Sequence, residues 1–114
     1  MRDRRNRRRR KTPHYLNVVD SATGQVLGRL VNITAGGMMV VSRNKIMPDR
    51  EFRLRLLLPR MVNGEDELQL QACSIWCRPD ENPAFHRIGF KFLQVDERDA
   101  FVLEDVMHTF HLVG

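Results

Sequence analysis

The chain has 114 residues, of which 42% are hydrophobic and 29% are charged. This length and composition are typical of one small globular domain and exclude a disordered chain. No apolar run approaches the roughly 20 residues that a membrane-spanning helix needs. No apolar stretch of about 7–15 residues follows the basic start, as it would in a secretory signal. We therefore expect a cytoplasmic protein without a membrane span.

The positive charge is concentrated at the N-terminus. Residues 1–11 contain eight of the 19 Lys and Arg residues and one of the 14 acidic residues, so they carry a net charge of +7. The other 103 residues hold 11 basic and 13 acidic groups, a net charge of −2. A basic arm on a nearly neutral body indicates a local anion clamp or a tail for nucleic acid or membrane, rather than a basic surface spread over the fold.

We expect this arm to be separate from the folded domain. The division predicted is an arginine-rich arm over residues 1–12 and a folded domain over residues 13–114. Arginines that repel one another and bury nothing should leave the arm disordered in the free protein.

The body shows six apolar segments with strand character. The clearest is 51–58, where Phe52, Leu54, Leu56 and Leu58 alternate with arginines, so that one face is buried and the other wet. In 67–78 the alternation slips, which indicates a bulge. We predict a polar loop over 59–66, including a solvated acidic run at 65–67. The predicted strands are 14–20, 25–33, 38–42, 51–58, 67–78 and 85–93.

The last segment changes from a period of two to a helical period. Asp96 is a good N-cap, and acidic residues follow in the first turn, where the helix dipole favours them. The apolar stripe is Val102, Leu103, Val106, Met107 and Phe110. We therefore predict a helix over 96–111. Six strands with short connections and one amphipathic helix predict an all-β fold with a C-terminal helix, a small antiparallel β-barrel capped by that helix.

Neither an enzyme nor a metal protein is indicated. Cys73 and Cys77 are the only cysteines, and four residues along a strand separate them by about 13 Å, too far for a disulfide. The histidines are scattered, and the pair His108 and His111 lacks a third ligand. No nucleophile–base pair and no paired carboxylates stand out. We expect no catalytic residues, no metal and no cofactor.

A short polar stretch interrupts two apolar runs at Asn32, Thr34, Gly36 and Gly37. Residues two apart on an extended strand face the same way, and glycines let a backbone or a flat ligand come close. The stretch therefore predicts a small polar ledge suited to an anion or a base edge. The alternative is an ordinary turn whose Asn satisfies its own backbone.

The arm and the ledge together carry a resemblance. Arg5 and Arg9 form Arg-x-x-x-Arg near the N-terminus, and Asn32-x-Thr34-x-x-Gly37 follows the second predicted strand. With the segments 28–31, 37–40 and 87–92, this order resembles the PilZ domain, a bacterial receptor family for cyclic di-GMP. The resemblance covers nearly the whole chain and implies a six-stranded antiparallel barrel of the split-barrel type.

The resemblance also implies a ligand site. Arginine pairs bidentately with phosphate or with guanine O6 and N7, and its plane stacks on a base. By resemblance, Arg5 and Arg9 clamp the dinucleotide, because Arg4-Arg5 supplies the doubled start often seen in the family. Asn32, Thr34 and Gly37 hold a base edge. Threonine stands where serine is commoner. The register of the arginine pair is open, because Arg4 and Arg8 have the same spacing as Arg5 and Arg9.

The function implied is a cyclic di-GMP sensor or adaptor whose arm changes conformation on binding and signals to a protein partner. Two alternatives stay open. One is a nucleic-acid-binding barrel with a basic arm, and the other is an interaction domain of the same family that does not bind the ligand. Trp76 is interpreted first as a core or rim residue and second as a stacking platform.

Overall fold

A computed structural model describes residues 16–110, and side chains up to residue 109. Within this range six strands form a closed antiparallel barrel, and one helix follows. The order of strands around the barrel is β1-β2-β3-β6-β5-β4. The elements are β1 (Asn17–Asp20), β2 (Gln25–Ile33), β3 (Gly37–Ser42), β4 (Glu51–Val62), β5 (Glu65–Pro79), β6 (His86–Gln94) and α1 (Glu97–Phe110). The predicted fold class is confirmed.

The core fills the barrel from alternate positions of every strand. In β4, Leu54, Leu56 and Leu58 are buried, as their alternation with arginine predicts. In β6, Ile88 and Phe90 face them from another strand, and the ring of Phe90 meets that of Phe52 edge-on at 5.8 Å between centroids. The outer positions of the strands are therefore the surface on which a ligand can lie.

The loop predicted over 59–66 is wrong. Strand β4 continues to Val62 and β5 begins at Glu65, so the connection is only Asn63 and Gly64, which have φ values of 51° and 79°. Two consecutive positive φ values define the type I′ hairpin turn, which Asn-Gly favours. The acidic run from Glu65 onward therefore belongs to a strand.

Pro59 made this segment look like a loop, because proline cannot donate to a β ladder. The structure places it where β4 and β5 pair irregularly, between Leu57 and Val62. The short β1 pairs only with Leu54–Leu56 of β4 and does not extend to it. The β1–β4 ladder is therefore unaffected by this proline, which falls in the interrupted part of the β4–β5 ladder.

Strand β5 contains the predicted bulge. Its pairing with β6 shifts between Ser74 and Trp76, and Ile75 is the exposed extra residue. The Ser74 hydroxyl is fully buried and donates to the Met47 carbonyl at 2.6 Å. Both cysteines of this strand are free thiols. The bulge turns the side chain of Trp76 outward, onto the outer face of the barrel.

The helix begins as its sequence predicts. The Asp96 carboxylate accepts a hydrogen bond from the backbone N–H of Asp99 at 2.8 Å, which is the geometry of an N-cap. Val102, Leu103 and Val106 are buried against the barrel. Outside this stripe, Arg98 pairs with Glu65 and Asn63 hydrogen-bonds Asp105. The helix therefore packs beside the β4–β5 hairpin.

No helix in residues 16–110 is long and apolar enough to span a membrane.

We predict that Asp96→Ala lowers the free energy of unfolding by about 1 kcal/mol, because the first turn of the helix loses its cap. Urea denaturation followed by circular dichroism measures the change. Asp66→Ala is the control, since Asp66 is exposed on β5 and carries the same charge. Equal losses in the two variants would show that net charge, and not the cap, sets the effect.

Candidate functional site

The polar stretch forms the tight connection between β2 and β3. The backbone N–H of Thr34 donates to the Gly37 carbonyl at 2.8 Å. The Thr34 hydroxyl donates to the same carbonyl at 3.4 Å and accepts from the N–H of Gly36 at 3.3 Å. The hydroxyl of Thr34 is thus used within the turn. Thr34 lies past the end of β2, so it does not continue the outward face of Asn32 in the way that an extended strand would.

The two glycines of the turn have different roles. A Cβ on Gly37 would lie 2.2 Å from the Phe90 carbonyl oxygen on β6, much closer than van der Waals contact allows, whereas a Cβ on Gly36 would meet no atom within 4 Å. Gly37 therefore lets β3 and β6 pack closely. Gly36 borders open space, and the ligand contact predicted for both glycines stays a prediction.

Asn32 stands on the outer face near the end of β2. It pairs with Met39 of β3, Met39 pairs with Gly89 of β6, and Gly89 pairs with Trp76 of β5. These residues form one row across four strands, which we call the Asn32–Trp76 row. Within the part of the chain described, the half-buried amide of Asn32 has no hydrogen-bond partner. Its donor and acceptor are available to a ligand.

Gly89 leaves one position in the middle of this row without a side chain. A Cβ there would overlap the Nε1 and Cε2 atoms of Trp76, so the indole lies directly over the glycine. The Arg78 guanidinium carbon stands 4.9 Å from the centroid of the same indole. Trp76 is therefore an outward-facing, half-buried ring with a cation beside it. The sequence signal for this placement is the slipped alternation of β5.

A second row of cross-strand neighbours runs parallel to the first and contains three arginines. Arg29 pairs with Val41, Val41 with Arg87, and Arg87 with Arg78. Arg87 donates from Nε to the Asp80 carboxylate at 2.6 Å. This hydrogen bond holds the pKa of Asp80 below its usual value and raises that of Arg87. One charge of the row is thus neutralised.

The arginines predicted to clamp the ligand, Arg4, Arg5, Arg8 and Arg9, lie outside the described residues. The described chain begins beside the Asn32–Trp76 row: the Leu16 carbonyl accepts from the backbone N–H of Leu30 at 2.9 Å. Leu30 is two residues before Asn32. The first described residue, Leu16, therefore lies close to the end of the row.

These features define a small barrel with a row of polar and aromatic residues on its outer face, and no group of His, Cys, Asp or Glu residues among 16–110 could hold a metal. A family model for the PilZ domain matches residues 3–107. The chain therefore belongs to the PilZ domain family, whose members are receptors for cyclic di-GMP and act as adaptor domains.

Two solved structures have a fold similar to that of this chain. The chain is similar to the PilZ domain with cyclic di-GMP of YcgR from Escherichia coli, with a TM-score of 0.63, 18% identity, and coverage of 87% of this chain and 82% of the other. It is also similar to the inhibitor of motility MotI/DgrA of Bacillus subtilis, with a TM-score of 0.67 and 18% identity. That match covers 93% of this chain and 53% of the other. No curated protein sequence matches the chain.

The two glycines of the turn give a paired prediction. Gly37→Ala should lower the melting temperature by several degrees, because a methyl group there pushes β3 away from β6. Gly36→Ala should leave the melting temperature within about a degree, because the methyl group enters open space. Differential scanning calorimetry measures both. If the two variants melt alike, the close approach at Gly37 does not support the fold.

Proposed function

We propose that this protein binds cyclic di-GMP on the outer face of the barrel, between the Asn32–Trp76 row and the arginines of the arm. The observation that carries the proposal is the unused amide of Asn32, which shares an outward row with the indole of Trp76. An amide that can donate and accept matches the edge of a guanine. An indole offers a face on which a base can stack, once the Arg78 guanidinium that lies over the ring has moved aside.

Each residue has a separate task in this proposal. Asn32 hydrogen-bonds a guanine edge, and Gly36 leaves room for the ring beside it. Thr34 holds the turn by its two hydrogen bonds, so it acts by positioning. Gly37 acts in the same way, by letting the strands approach. Trp76 stacks on a base, and its neighbour Arg78 adds positive charge near a phosphate.

The arm supplies the remaining contacts. Six residues lie between Arg9 and Leu16, and seven extended Cα-to-Cα steps span at most about 25 Å. Asn32 lies only about 7 Å along the strand from Leu30, which bonds Leu16. Arginines of the arm can therefore meet a ligand that already touches Asn32. Their guanidinium groups pair with the two phosphates, which the barrel row by itself does not neutralise.

Binding would then act as a switch. A dinucleotide with two negative charges offsets part of the +7 charge of residues 1–11 and bridges the arm to the barrel. The arm becomes ordered across the outer face and changes the surface that a protein partner reads. The process that this partner controls is not part of the proposal.

Nucleic acid is the second candidate, and one observation favours it. Trp76 with Arg78 beside the basic row resembles the stacking platforms of single-strand binders. The third candidate, an interaction domain without a ligand, predicts that neither compound binds. Titration with cyclic di-GMP and with a random single-stranded oligonucleotide separates the three.

We predict that Arg5→Ala or Arg9→Ala weakens cyclic di-GMP binding by about 10- to 100-fold, because each removes charge-assisted hydrogen bonds worth roughly 1.5–3 kcal/mol. Asn32→Ala should cost a similar factor. Isothermal titration calorimetry measures these losses, and fluorescence gives a second readout because Trp76 is the only tryptophan.

Further variants test which pair of arginines, Arg5 with Arg9 or Arg4 with Arg8, forms the clamp. Arg53→Ala removes a surface charge on β4, far along the barrel from the row, and should leave binding unchanged. If Arg4→Ala and Arg8→Ala weaken binding more than the first pair, the clamp uses the other register. If none of the four arm variants matters, the arm is not a clamp.

The switch is tested by amide hydrogen exchange with and without cyclic di-GMP. We expect protection to rise in residues 4–12 and around 32–37, while β4 stays unchanged, because the ligand adds ionic contacts without altering the core. Binding should also weaken as salt rises. An arm that is protected before ligand is added, or unprotected at saturation, would contradict the mechanism.

A further inference from the structure

A second surface lies at the other end of β2, away from the Thr34–Gly37 turn. It is a cavity of about 400 Å³ on the outside of β2 and β3. The apolar part of its lining comes chiefly from Val26, Val41 and Phe85. Val26 is 56% exposed, which is high for a valine in a strand. We call this surface the Val26 cavity.

The charges of the Val26 cavity are of one sign. Arg29 and Arg43 line it, and no carboxylate does. The guanidinium carbon of Arg43 lies 5.3 Å from the centroid of the Phe85 ring. The cation is thus held over an aromatic face with hydrogen-bonding capacity left for an anion. A cationic rim on an apolar cavity favours an acidic group next to an apolar one.

The same surface borders an unpaired strand edge. Strand β2 begins at Gln25, but its ladder with β3 begins only at Arg29. On the other side, residues 25–28 pair with β1. Strand β3 ends at Ser42, where its hydroxyl accepts from the N–H of Asn44 at 3.1 Å and the chain turns away. Within residues 16–110, no strand pairs with 25–28 on the side of the cavity. Gly28 itself lies against β3, where a Cβ would come 2.3 Å from the Val41 carbonyl oxygen, so the open part of the edge is residues 25–27.

From these observations we infer that the Val26 cavity and the edge of residues 25–27 form a docking site for an acidic, extended segment of a partner protein. The segment adds as a strand beside residues 25–27, where main-chain hydrogen bonds provide affinity. An apolar side chain of the segment packs against Val26 and Phe85, and a neighbouring carboxylate pairs with Arg43. The arginine-rich arm of the same chain is a poor occupant, because Arg29 and Arg43 would repel it.

This inference does not depend on cyclic di-GMP. The docking site and the Asn32–Trp76 row lie on one strand, with Leu27 about 15 Å from Asn32 along β2. The two surfaces can be occupied together, and each can fail experimentally without the other.

The experiment is a nuclear magnetic resonance titration of the isotope-labelled full-length protein without nucleotide. The probe is the acetylated and amidated peptide Glu-Val-Glu-Phe-Glu-Val, and its charge-reversed counterpart is Lys-Val-Lys-Phe-Lys-Val. We expect the acidic peptide to shift the amides of residues 25–29, Arg43 and Phe85. Arg43→Glu should weaken binding by about tenfold or more. Arg53→Glu, the same change at an exposed site on β4, should not.

Four results would overturn the inference. The basic peptide could bind as well as the acidic one, or the shifts could centre on Asn32 and Trp76. Shifts of residues 25–29 on dilution without peptide would show that a second copy covers the edge. Shifts of the same residues on deletion of residues 1–12 would show that the arm covers it.

Discussion

The close approach of β3 and β6 is the constraint on which the site depends. Six consecutive pairs, from Gly37 with Lys91 to Ser42 with His86, join these strands without a bulge. Gly37 allows the approach at one end, because the Phe90 carbonyl occupies the place of a side chain. Gly89 of β6 leaves room on the outer face for the indole of Trp76 from β5. Two missing side chains thus bring Asn32 and Trp76 onto one continuous row.

The ladder between β3 and β6 also fixes the geometry of the Asn-x-Thr-x-x-Gly motif. In Asn-x-Thr-x-x-Gly, the threonine closes the turn, the glycine lets the turn rest on the neighbouring strand, and the asparagine is left with its amide unused. In the described structure, the side chain of Asn32 is the one of these three whose hydrogen-bonding groups are unused. A site built in this way is rigid on the barrel side, so a change of conformation on binding would be confined to the arm.

The folded part of the chain and the arm carry very different net charges. The folded part has a nearly balanced charge, and its basic outer row is partly neutralised by the pair of Arg87 with Asp80. The barrel therefore offers shape and hydrogen bonds, and the arm offers most of the charge. Under the proposed function, affinity would depend strongly on salt while base recognition would not. The unpaired edge at residues 25–27 adds a separate surface through which such a domain could meet a protein.

The sequence alone determined the barrel and the helix, because alternation in β4 and the stripe of Val102, Leu103 and Val106 are local patterns with one stable arrangement each. It also identified the turn and its family. It did not determine the β4–β5 connection, where the polar composition of 59–66 predicts a loop, nor the role of Trp76. The position of that indole depends on a bulge in β5 and on a glycine in β6, which are distant in the chain and meet only through the register of the sheet. Cross-strand neighbours are set by tertiary pairing, so the row that forms the site could be seen only in the fold.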